Sequence, residues 1–327
     1  MIKLSFLIFL VPTFLFSQTP NKQGLQEYLI PDEGDTIHFY IYNPDNIFKN
    51  KIFLYVQGSG DLPMVNGDET EECCYNNYPK KLMKEFPSEY AFVYIQKIGL
   101  PYYVRKLEDF KPSSRFVERN NVLDRAYVAD KVINYLIKEV YPSAKIVAVL
   151  GHSEGSDVAA KLAVINKYVS HLCFASGNAT PEFYNNILLI RRQMLKGELT
   201  AIEAQNKLDT LYLGLDSVYK SPNSTDKYFN GDTYKWNYTI NQAPIDNLLQ
   251  LEIPIYLTIG SHDEKVPVEA SDFIKAEFIR HQKTNLTYKV YLNSNHNYTE
   301  TSTDNKKIDH WTELFSDFLK FVQQSSR

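Results

Sequence analysis

The pentapeptide Gly151-His152-Ser153-Glu154-Gly155 constrains this chain more than any other stretch, because of what stands on either side of it. Residues 145–150 are an apolar run rich in β-branched side chains, and residues 156–165 carry a helical pattern. A serine bracketed by glycines between a strand and a helix forces a sharp turn. The missing side chains let strand and helix approach each other, while the serine takes a strained backbone conformation. Its hydroxyl is pushed out at the carboxyl edge of the sheet. The backbone N–H of Glu154, in the first turn of the helix, is aimed where an oxyanion would form.

Two later loops follow the same pattern of strand and then polar turn. Residues 253–259 are a short apolar run followed by Gly260-Ser261-His262-Asp263-Glu264, and residues 286–292 alternate like a strand before Asn293-Ser294-Asn295-His296. The order serine, acid, histidine, each just beyond a strand, resembles the α/β-hydrolases, with the pentapeptide as their nucleophile elbow. The resemblance implies Ser153 as nucleophile, His296 as base and Asp263 as the acid that orients it. Glu264 is one position late in its loop, and Asp272 falls inside a helix beginning near Val268. His152 belongs to the elbow and is expected to support the turn, and His262 adjoins the acid as a neighbouring residue. His38, His171, His281 and His310 fall on strand or helix patterns.

The oxyanion site needs a second donor, which the resemblance places after the strand at residues 51–56. Gln57-Gly58-Ser59-Gly60 resembles the family's His-Gly loop with glutamine in place of histidine, so the backbone N–H groups expected to form the hole are those of Glu154 and Ser59. The chemistry implied is acyl transfer to water with no cofactor.

The remaining chain alternates strands and helices. Strands are expected near residues 26–29, 36–42, 51–56 and 90–96, an amphipathic helix over 117–140, and a final helix over 311–323 that closes the far side of the sheet. This is an α/β class pattern, the α/β-hydrolase fold, with a mostly parallel twisted sheet, helices on both faces and the site at the strands' carboxyl ends. Residues 180–250 are too long for a plain crossover, carry helical stretches around 181–196 and 200–218, and are expected to form a helical cap insertion that selects substrate. Trp236 and Tyr238 are its candidates for lining an acyl pocket. The chain's 327 residues suit one such domain with an insertion.

The first 17 residues read as a signal peptide: Lys3 supplies the positive end, residues 4–16 are almost wholly apolar, and Ser17 is a small residue at the cleavage point. Export to the periplasm or beyond follows, with no permanent membrane anchor. In an oxidising compartment the adjacent Cys73 and Cys74 form either a vicinal disulfide or two free thiols, and Cys173, inside an apolar strand, is a buried thiol. No metal-ligand spacing is present. The net charge of −4 and the lack of a basic cluster exclude a nucleic-acid surface. Tyrosines in loops, among them Tyr102, Tyr103 and Tyr228, offer rings to a sugar or aryl group or simply pack. The sequence therefore points to an exported serine esterase acting on a small-molecule or carbohydrate-linked acyl ester. The alternative is a serine peptidase of the prolyl-oligopeptidase or aminopeptidase type, in which Glu154 or Glu182 grips an amino terminus. A third reading, of another class, is a binding protein that keeps the constellation without turnover.

Overall fold

The computed structural model describes residues 24–43, 49–66, 82–83, 86–302 and 306–326. The signal-peptide reading and the Cys73–Cys74 pair lie outside them.

Eight strands form one sheet: β1 (Leu25–Asp32), β2 (Asp35–Tyr42), β3 (Lys51–Val56), β4 (Tyr90–Ile95), β5 (Ile146–His152), β6 (His171–Ala175), β7 (Ile255–Gly260) and β8 (Leu286–Tyr291), in the spatial order β1-β2-β4-β3-β5-β6-β7-β8. The hairpin β1–β2 is antiparallel and β2 runs antiparallel to β4, while every pairing from β4 to β8 is parallel. The order reverses at β3 and β4, so β3 and β5 lie side by side and their carboxyl ends face a common crevice.

Both faces of the sheet are covered, which is why its central strands are apolar throughout rather than alternating with polar residues. Along β3, Ile52, Leu54 and Val56 face one core with Ala126, Val132 and Val158, whereas Phe53 and Tyr55 face a second core with Phe315 and Phe318. The first core lies under helices α2 (Val122–Tyr135), α3 (Glu154–Ile165) and α8 (Val268–Arg280). The second is closed by the last helix, α9 (Trp311–Ser325), whose Phe315 ring stands 5.5 Å from that of Phe53.

The helix expected over 117–140 is two helices. A short α1 (Ser114–Arg119) ends at Asn120, and Asn121 opens α2 by accepting a hydrogen bond from the Asp124 N–H at 3.0 Å. The apolar spacing hides this break, because Phe116 of α1 and Val122, Ala126 and Ala129 of α2 are all buried, while only a capping asparagine, which satisfies an otherwise orphaned helix donor, marks the boundary. The end of α2 widens into a π-helical turn, Leu136–Val140.

Residues 180–250 leave after β6 and return before β7. They contain α4 (Glu182–Leu195), α5 (Ala201–Lys220), α6 (Tyr234–Ile240) and α7 (Pro244–Leu248). A reciprocal capping box starts α5: Thr200 Oγ1 accepts from the Glu203 N–H, and the Glu203 carboxylate accepts from the Thr200 N–H. Between α5 and α6 lies a two-stranded ribbon, Tyr228–Phe229 against Asp232–Thr233.

Candidate active site

At Ser153 the backbone has φ 57° and ψ −133°, outside the usual regions for a residue with a side chain. The strain follows from the two glycines around it. A Cβ on Gly151 would sit 2.2 Å from the Gly155 carbonyl oxygen, and one on Gly155 would sit 2.2 Å from that of Val56. No larger residue fits at either position, so β5 turns into α3 within one residue. The Ser153 N–H donates to the Ala175 carbonyl at 3.0 Å, fixing the turn to β6. Helix α3 begins at Glu154, two residues before the expected run, so the Glu154 N–H is the first of the helix and has no carbonyl of a preceding turn to bond.

Asp263 and His296 meet. The His296 Nδ1 lies 2.9 and 3.0 Å from the two carboxylate oxygens of Asp263, which is buried. Asp263 Oδ1 also accepts from the Lys265 and Val266 N–H groups, which fix the carboxylate in its turn. The two loops are tied together: the His262 N–H donates to the Ser294 carbonyl, and a Cβ on Gly260 would strike the Ser294 and Asn295 carbonyls at 2.3 and 2.5 Å. Tyr298, wholly buried, anchors the histidine loop by donating its hydroxyl to the Thr258 carbonyl at 3.0 Å. Its neighbours do not compete with Asp263: Glu264 and His262 are exposed, and Asp272 lies in α8 accepting from the Tyr288 hydroxyl.

His152 joins the elbow to the histidine loop. Its Nε2 is 3.0 Å from the His296 carbonyl oxygen, and its ring stands 5.0 Å from those of both His296 and Trp311. Burial, helped by the neighbouring His296, pulls its pKa down to about 4. The ring is therefore neutral near pH 7, and Nε2 donates as an N–H. This contact ties residue 296 to residue 152, the chain neighbour of Ser153.

Gly58 packs directly on the elbow, since a Cβ there would lie 3.1 Å from Ser153 Cβ and 3.6 Å from its Oγ. Gln57, standing where the resemblance expects histidine, is buried and donates its amide to the Ile95 carbonyl at 3.0 Å. The Glu154 side chain forms an ion pair with Arg125, and it also accepts from the Trp236 indole N–H at 3.1 Å. Burial opposes its ionisation, but the Arg125 and Lys97 charges and these hydrogen bonds outweigh it and hold the carboxyl below its ordinary range. Glu182 is occupied too, accepting from Asn178.

A cavity of about 390 Å³ opens at Ser59 and Glu154, the residues expected to supply the oxyanion donors, bounded also by Gly60, Asp61, Asp232 and Trp236, with Phe116 and Tyr228 completing its aromatic wall. Burial, with Glu154 nearby, pushes Asp232 up to about 6. Of the two aromatic candidates on the insertion, Trp236 lines this cavity. Tyr238 does not; its ring packs on Tyr219 at 5.3 Å, because Trp236 and Tyr238 are two residues apart on α6 and so face different sides. Tyr102 packs on Tyr40 at 5.1 Å. Lys97 and Arg125 were not among the expected site residues. Neither sits in a motif, and Arg125 reads simply as a polar position on an amphipathic helix. Among the described residues, no group of three or more His, Cys, Asp or Glu side chains is arranged to hold a metal ion, and no helix is long and apolar enough to cross a membrane.

No protein-family model and no curated protein matches the sequence. Solved structures do. A highly thermostable carboxyl esterase from Bacillus coagulans superposes with a TM-score of 0.58 at 16% identity, covering 92% of this chain and 99% of that one. Est1E from Butyrivibrio proteoclasticus gives a TM-score of 0.51 at 14% identity over 91% and 98%. The acylaminoacyl peptidase of Pyrococcus horikoshii gives 0.55 at 12% identity over 92% of this chain but 41% of that one, so this chain spans about two fifths of its length.

Proposed function

From the α/β-hydrolase fold that this chain has, and from the constellation at its sheet edge, we propose that it is a serine hydrolase of carboxylic esters. The observation that carries this reading is the strained Ser153 at the β5–α3 junction, with the Asp263–His296 pair tied to its chain neighbour His152. In this reading His296, oriented by Asp263, takes the proton from Ser153 Oγ as the oxygen attacks the ester carbonyl carbon. The carbonyl π pair moves onto its oxygen, which is stabilised by the Glu154 and Ser59 N–H groups. Collapse breaks the C–O bond, His296 returns the proton to the departing alcohol, and water then releases the acyl group by the same path.

The cavity's lining favours a neutral, hydroxyl- or aryl-bearing ester. Phe116, Tyr228 and Trp236 offer ring faces to a sugar or arene, and Asp61 and Asp232 accept from hydroxyls while disfavouring an anionic ligand. The insertion, residues 180–250, acts as the cap that selects substrate. The same carboxylates favour a second reading, a peptidase for substrates with a free amino terminus. Assaying the purified protein on p-nitrophenyl esters of graded chain length, sugar esters and aminoacyl anilides separates the two: ester turnover exceeding anilide turnover supports the first, and the reverse order the second. We also place the mature protein outside the cytoplasm, on the strength of residues 1–17. Amino-terminal sequencing of the exported product tests this, with cleavage near Ser17 expected.

A further inference from the structure

The loop after β3 is held by two cations, Lys97, which is buried, and Arg125, which is largely so. Lys97, just beyond β4 and 8% exposed, donates to the carbonyl oxygens of Gly58 at 2.9 Å and Gly60 at 2.8 Å. Arg125, on α2, donates to the Gln57 carbonyl and reaches that of Gly58 at 3.5 Å, while its other contact is the carboxylate of Glu154. Three successive or near-successive carbonyls are thus drawn toward the same pair of charges.

This arrangement decides where the loop's donors point. All described peptide bonds are trans, and in a trans peptide the C=O of one residue and the N–H of the next point in opposite directions. Directing the Gln57 and Gly58 carbonyls to the cations turns the Gly58 and Ser59 N–H groups to the opposite side. Gly58 packs on Ser153. We infer that Lys97, assisted by Arg125, is a positioning residue that sets the oxyanion-binding loop, doing by charge-assisted bonds to main-chain carbonyls what a side chain at position 57 does not do here.

Two further observations support it. A buried ammonium is expensive to keep, and burial together with the Arg125 charge pulls Lys97 down to about 7. Its hydrogen bonds nevertheless go to backbone oxygens of this loop. Arg125 also joins the two halves of the site, because Glu154 supplies one expected donor and the Gln57–Gly60 loop the other. The inference rests on the proposed hydrolase reading.

The test uses the full-length mature protein and an aryl trifluoromethyl ketone. Ser153 Oγ adds to the ketone carbon, its proton passes to His296, and the alkoxide oxygen occupies the oxyanion position. K97M should lower kcat about 100-fold, the scale of losing one oxyanion donor. KM should stay within about threefold, as for an interaction made only in the transition state. Ketone affinity should fall in parallel with kcat, and the melting temperature should change little. K97Q, which keeps one donor, should lie between wild type and K97M, and it carries the test if K97M does not melt cooperatively. Unchanged kcat and ketone affinity in a folded variant, or a loss that only follows the unfolded fraction, overturns the inference while leaving the hydrolase reading intact. A wild-type protein that neither hydrolyses esters nor binds the ketone overturns both.

Discussion

The indole N–H of Trp236, on the inserted helix α6, donates to the carboxylate of Glu154, the residue that follows the elbow serine, at 3.1 Å. One hydrogen bond therefore connects the insertion to the first turn of the elbow helix, across the wall of the 390 Å³ cavity. Glu154 is held at the same time by Arg125, so the insertion, α2 and α3 share one buried carboxylate.

Trp236 variants separate the ring from the bond. W236F keeps the aromatic wall and loses the donor, and should leave KM within a few-fold of wild type. W236A opens the cavity and should raise KM by about tenfold and shift preference toward longer acyl groups, since one to two kcal/mol of contact is lost there. A substrate panel measured beside the thermal midpoints checks this. Constant selectivity with only the melting temperature moving would show that the insertion does not select substrate.

The buried Asp263 holds His296 by both carboxylate oxygens. D263N retains the shape but presents an amide, and should lower kcat by on the order of 10³- to 10⁴-fold with little change in KM. H296A should reach a similar floor, and the double variant should add little to it, because residues acting as one unit are not additive. Additive losses in the double variant would mean the two act separately.

His152 makes a specific pH signature. Its folded pKa lies near 4, below the reference value of 6.5, so between these values the unfolded chain binds the extra proton. Stability from this group is complete above pH 6.5 and is lost as pH falls toward 4, by roughly 3 kcal/mol. Urea unfolding of wild type and H152Q across pH 4 to 7 isolates it, because the remaining titratable groups are common to both. The variant's stability should depend less steeply on pH; parallel curves would refute a buried neutral His152.

What the sequence disclosed and what it concealed divide on physical grounds. The elbow was legible because its glycines answer to local sterics, and the central strands of the sheet because burial on both faces makes them uniformly apolar. The expected order of Ser153, Asp263 and His296 along the chain places them after β5, β7 and β8, at one edge of the observed sheet. The break at Asn120 and Asn121 was hidden, because both flanking helices bury apolar residues in register and only a capping side chain marks the boundary. Lys97 and Arg125 were hidden for another reason: they act on main-chain carbonyls 37 to 68 residues away in sequence, and a carbonyl leaves no trace in residue identity. Tyr238 was misplaced because proximity to Trp236 in sequence says nothing about sharing a helix face.

The central claim is that Ser153 is the nucleophile, and the most direct measurement is intact-mass and peptide-mapping analysis after exposure to a fluorophosphonate, run on wild type and S153A. Nucleophilic displacement of fluoride should add one phosphonyl group to the wild-type protein, mapped to Ser153, and none to S153A, whose ester hydrolysis should fall by on the order of 10⁴-fold or more with its fold unchanged. Labelling at another residue, or an S153A protein that retains full activity, would contradict the account.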